Sequence, residues 1–198
     1  MANFITITRY PLLFLYLGIL YFGNQTLLYL NVPFIIILFL MDSLDGWIAR
    51  KRGETSLLGS VLDIATDRTM EYVLWAVYTH LGLIPIIVPI IVIIRGTTVD
   101  AVRSVGMKNG VSAFDQIQSP LNRFLVSSRF MRAIYGTAKG TAAALLTLAY
   151  AIQFGLPEWF NLVHQVGLLF TWISVIVCVA RGLPVLVEGV KTFRKNRE

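Results

Sequence analysis

Residues 42–67 read DSLDGWIARKRGETSLLGSVLDIATD. The window carries four aspartates, in a chain with eleven acidic residues altogether. Its surroundings are strongly apolar: VPFIIILFLM leads into it, and MEYVLWAVY follows shortly after it. An aspartate at the centre of a membrane helix costs about 2.5–3.5 kcal/mol on insertion scales, so it persists where it faces a cavity and has a partner. Four such carboxylates need a shared partner. A divalent cation is the natural candidate.

The spacing sharpens this reading. Asp42 and Asp45 stand at i, i+3, and Gly46 and Ala49 continue the same side of a helix. Gly59, Asp63 and Asp67 stand at i, i+4, i+8 and form a second stripe. Between the stripes, RKRGETS reads as a short polar turn in which Thr55 or Ser56 can cap the next helix. Two antiparallel helices then bring two carboxylate pairs face to face, with Gly46, Ala49 and Gly59 leaving room against the backbone. Oxygen-only donors suit Mg²⁺, Mn²⁺ or Ca²⁺ rather than zinc or copper.

The pattern Asp42-x2-Asp45-Gly46-x2-Ala49-Arg50-x8-Gly59-x3-Asp63-x3-Asp67 resembles the signature of the CDP-alcohol phosphotransferase family at every fixed position. Fixed residues at fixed spacings on apolar helices make this far more specific than a lone glycine motif. The resemblance implies transfer of a substituted phosphoryl group from a CDP-linked lipid to an alcohol, with release of CMP. It implies two divalent ions, usually Mg²⁺ or Mn²⁺, held by Asp42, Asp45 and Asp63. Asp67 matches the general base and can also touch a metal. Gly46, Ala49 and Gly59 then line the nucleotide pocket, with Arg50 on the phosphates. Six-helix homodimers are the expected assembly.

The rest of the chain agrees with a membrane setting. At 198 residues it reads as one domain spanning 1–198. It is 56% hydrophobic and 14% charged, with a mean hydropathy of +0.70, an integral membrane composition rather than that of a soluble core. The single cysteine, Cys178, excludes an internal disulfide and reads as a small buried apolar residue. His80 and His164 lie away from the aspartates and read as structural. No cleavable signal peptide is expected, because the first apolar run is rich in aromatics and lacks a small-residue cleavage site.

Six apolar runs predict an all-α protein with six transmembrane helices. The first ends at Phe22 and must begin nearer Ile5 than Tyr10 to reach across a hydrocarbon core of about 30 Å. The others cover about 28–49, 57–81, 85–105, 130–154 and 160–187. Residues 106–130 form the longest polar connection and read as amphipathic or irregular. The turns near 23–27, 80–84 and 155–159 contain no Lys or Arg, and all 17 basic residues lie toward the opposite ends of the runs. The positive-inside rule then puts both termini and the aspartates on the cytoplasmic side, in the cell (inner) membrane.

A net charge of +6 suits anionic lipid or a phosphorylated substrate. Without a soluble domain, nucleic acid is not an expected partner. Arg9 and the tail Lys191 to Arg197 read as topological anchors. Arg95 and Lys139 differ, because each lies inside an apolar run; with Arg129 and Arg132 they are candidates for binding the acceptor's phosphate.

Within the family, the resemblance is closest to phosphatidylglycerophosphate synthases. These commonly carry an Arg-acid pair in the fourth helix and Gly-Lys-x-Lys-Thr in the fifth. Here Gly96 follows Arg95, and the run Gly136-Thr137-Ala138-Lys139-Gly140 keeps the glycine and the second lysine. Glycerol 3-phosphate is therefore the first choice of acceptor, with inositol phosphate second and serine third. An intramembrane cation transporter is the competing class, but it predicts acids spread through the bilayer rather than clustered at one side.

Overall fold

The computed structural model of the chain describes residues 2–52, 57–108 and 120–195. Among the described residues every regular element is a helix: α1 Ala2–Phe22, α2 Gln25–Arg52, α3 Leu57–His80, α4 Ile87–Lys108, α5 Pro120–Ser127, α6 Arg129–Ile152 and α7 Pro157–Lys195. The long apolar runs thus become helices, and the connection after α4 adds the short α5.

The breaks between helices have local causes. Asn24 caps α2, its side-chain oxygen accepting from the Leu27 amide at 3.0 Å. After α3 the chain turns at Gly82, whose φ of +72° is open to glycine at no steric cost. Leu83 N donates to Tyr78 O at 2.9 Å and Gly82 N to Thr79 O at 3.0 Å. This is a Schellman closure, with Leu83 buried as its apolar seal.

The chain divides into two compact units, 1–85 with 140–169, and 86–139 with 170–198. In the first, α1 packs against α2 and α3. Its core includes Leu13, Leu20, Ile35, Leu74 and Trp75, joined by the small residues Ala142, Ala143 and Ala149 of α6. Small side chains let helices approach closely where no water drives them together. Gly140 accordingly faces the Phe39 ring, which lies 3.8 Å from where a Cβ would stand. Three buried hydroxyls tie α1, α3 and α6 together. Tyr16 and Tyr78 are 3.0 Å apart, and Thr147 Oγ1 lies 2.7 Å from the first and 3.1 Å from the second. In this unit His164 donates from Nε2 to the Leu83 carbonyl at 2.7 Å and stacks on Phe160, a structural role as expected.

In the second unit, Val99, Val126 and Val185 form a small core on α4, α5 and α7. Arg181 fastens α5 by donating to the carbonyls of Leu125 and Val126 at 3.3 and 3.4 Å, near the end of that helix. Cys178 is buried.

By length and composition, α7 is the one described helix apolar enough over its length to cross a membrane, along Pro157–Glu188. Only 28% of its most apolar window is buried, so most of that apolar length is not packed in a core. Shorter apolar stretches run along Thr6–Phe22 and Gln25–Met41. Many large apolar side chains point outward, among them Phe14, Phe22, Phe130 and Ile176.

Candidate active site

Asp63 and Asp67 belong to α3, which carries them one turn apart on the same face. Their side chains are 45% and 41% exposed, so both can be reached by a ligand. Like charges at this separation repel along a helix. A cation from α1 bridges them. Arg9 Nη2 donates to Asp63 Oδ1 at 3.0 Å, and Arg9 Nη1 donates to Asp67 Oδ1 at 2.9 Å. The arginine side chain is 2% exposed.

This corrects the reading of Arg9 as a topological anchor. An anchoring arginine extends its head to water, whereas here the head is buried between two motif carboxylates. The helix bounds explain the difference. Because α1 starts at Ala2, Arg9 lies two turns inside an apolar helix, the very property that singles out Arg95 and Lys139.

Gly59 lies one turn before Asp63 on α3 and is partly buried. Asp42, Asp45, Gly46, Ala49 and Arg50 fall on the α2 backbone, but their side chains lie outside the described residues. Among the described residues no group of three or more His, Cys, Asp or Glu side chains gathers to hold a metal. The described half of the donor set nonetheless fits a hard cation: two carboxylates, oxygen donors only, already sharing one positive group. Further along α3, the buried Glu71 is paired with Arg68 at 3.2 Å.

The candidate acceptor-binding cations belong to the second unit. Lys139 lies over the Tyr135 ring, 5.3 Å from its centroid, and Arg181 lies 5.7 Å from the same centroid. Arg181 was not singled out by the sequence, although it too lies inside an apolar run, 160–187. Arg95 packs against Gly182, where a Cβ would stand 2.5 Å from Arg95 Nε and 2.9 Å from its Cγ. Arg95 lines a cavity of about 230 Å³ together with Ile91, Thr98, Val179 and Leu183. Its Nε is buried with no hydrogen-bond partner among the described residues. Arg132 is exposed, and the side chain of Arg129 lies outside the described residues.

The sequence model of the CDP-alcohol phosphatidyltransferase family matches residues 1–179, which includes the whole aspartate motif and Arg9. The chain belongs to this family. Its reaction is transfer of a phosphatidyl group from a CDP-alcohol to an alcohol acceptor, so the protein is a transferase of phospholipid biosynthesis. The family is generally embedded in membranes, in keeping with the apolar length of α7. A search of curated proteins finds no match to the chain.

Proposed function

We propose that this enzyme transfers the phosphatidyl group of CDP-diacylglycerol to glycerol 3-phosphate and releases CMP, as phosphatidylglycerophosphate synthases do. The observation that carries the reading is the Asp63–Asp67 pair, one turn apart at motif positions, reachable, and bridged by the Arg9 guanidinium. In this reading Asp42, Asp45 and Asp63 hold two divalent ions, Mg²⁺ or Mn²⁺, with Asp67 at their edge. Such ions, when bound, neutralise a pyrophosphate and stabilise the phosphate that departs with CMP. Asp67 takes the proton of the acceptor hydroxyl as the new oxygen–phosphorus bond forms and the bond to CMP breaks. Gly46, Ala49 and Gly59 leave space for the nucleotide, and Arg50 meets its phosphates.

The acceptor's own phosphate requires cations, which Arg95, Lys139, Arg129 and Arg132 supply. The buried Arg95 Nε beside a cavity supports this assignment, because a buried donor without a partner calls for an acceptor. The setting is a single catalytic domain over 1–198 with six membrane spans. Both termini and the site face the cytoplasm, and the enzyme is a homodimer.

The test is CMP release from CDP-diacylglycerol by the purified enzyme, offered glycerol 3-phosphate, inositol phosphate, serine and inositol in turn. Turnover with glycerol 3-phosphate is expected. Turnover with inositol phosphate alone reassigns the acceptor, and no CMP with any alcohol overturns the reaction.

A further inference from the structure

We infer that Arg9 is the positioning residue of the aspartate centre: its guanidinium sets the orientation of the Asp63 and Asp67 carboxylates and so determines how tightly the centre takes a divalent ion. The inference rests on the metal-dependent reading above.

Three observations lead to it. The two terminal nitrogens of Arg9 go to different carboxylates, one oxygen of each, at 3.0 and 2.9 Å. Fixing one oxygen of a carboxylate fixes its plane, and the direction of the other oxygen follows. The side chain is 2% exposed and sits on α1, which packs against α3. Its place is therefore set by tertiary structure rather than by solvent. Finally, guanidinium carries its charge at any working pH and presents a rigid fork, whereas a lysine ammonium is a compact point charge that cannot serve two carboxylates with the same geometry.

Two effects oppose each other when such a residue sits beside a metal centre. Its charge repels an incoming cation, while its hydrogen bonds hold the ligands ready. Partners that hydrogen-bond metal ligands in this way contribute about 10–100-fold to metal affinity or activity. The burial and the two-handed contact favour the second effect here. Removing Arg9 takes one charge-assisted hydrogen bond from each of two carboxylates that repel one another, and the gain from lost repulsion of the cation does not compensate.

The experiment measures Mn²⁺ binding by electron paramagnetic resonance on the full-length protein in detergent, for wild type, Arg9→Lys and Arg9→Gln. Thermal unfolding of the metal-free proteins is recorded alongside. Both variants are expected to bind Mn²⁺ roughly 10–100-fold more weakly, with Arg9→Lys failing to rescue although it keeps the charge. Should Arg9→Gln not fold, Arg9→Lys carries the measurement. Tighter binding in the variants would mean that the guanidinium competes with the ion. Unchanged affinity with only a lower unfolding temperature would mean a structural ion pair. Either result overturns the inference while leaving the metal centre in place. Wild type that binds no Mn²⁺ overturns the centre itself, and the role of Arg9 with it.

Discussion

Asp63 and Asp67 share one arginine but are assigned different work, and substitution by asparagine separates them. Asparagine keeps the size and one acceptor oxygen while losing the charge and the ability to take a proton. If Asp67 is chiefly the base, Asp67→Asn lowers kcat by roughly 10²–10⁴, the range for one general base, with Mn²⁺ binding retained. Asp63→Asn loses activity through weaker metal binding and recovers part of it at high Mg²⁺. Metal-dependent turnover of the two variants side by side checks this, and rescue of Asp67→Asn instead reverses the roles. At this scale the sequence was legible where spacing alone decides geometry: i, i+4 on a helix places Asp63 and Asp67 together without further information. The contact of Arg9 with Asp67 joins residues 58 positions apart, and no local periodicity reports it. Arg9 stands at the edge of the apolar run that begins at Tyr10, so hydropathy gave no hint of a buried partner either.

The helices themselves show how far an apolar run can be trusted as an element. Hydropathy marks the stretch that suits hydrocarbon, whereas the helix continues as long as the backbone hydrogen bonds can. Hence α7 extends through the basic tail to Lys195, and α1 begins before its apolar run, at Ala2. Pro120 and Pro157 open α5 and α7, but Pro11, Pro33 and Pro184 lie inside helices, a tolerance that membrane helices show when neighbours satisfy the freed backbone groups. The polar connection after α4 was readable only as amphipathic or irregular, and α5 emerges there because Val126 packs with Val99 and Val185.

The packing of α4 on α7 gives a test at the same scale. Gly182→Ala places a methyl 2.5 Å from Arg95 Nε, so the arginine side chain must shift. A charge-assisted hydrogen bond is worth about 1.5–3 kcal/mol, and losing one to the acceptor's phosphate corresponds to roughly tenfold or more in affinity. The acceptor KM is therefore expected to rise by about that factor while the CDP-diacylglycerol KM stays the same. A rise confined to the lipid substrate would remove Arg95 from the acceptor site.

For the whole molecule, the distribution of basic residues and the apolar surface together argue one orientation. All Lys and Arg residues avoid the turns near 23–27, 80–84 and 155–159, and translocating a charged loop is what the positive-inside rule disfavours. Thr26 and Glu158, in or beside two of those turns, are exposed, so cysteines introduced there test whether the turns lie outside as proposed, and Lys191→Cys tests the tail. The native Cys178 is buried at 1% exposure and gives a low background. In intact cells a membrane-impermeant maleimide is expected to label Thr26→Cys and Glu158→Cys, and to label Lys191→Cys only after the membrane is opened. An odd number of spans would place Thr26 and Lys191 on the same side, so labelling of Lys191→Cys in intact cells alongside Thr26→Cys would overturn the six-span arrangement. The reverse pattern, with the tail labelled and both turns protected, would keep six spans but move the aspartates to the outer face, where CMP release has no cytoplasmic nucleotide pool to join. The orientation therefore bears on the reaction as well as on the fold.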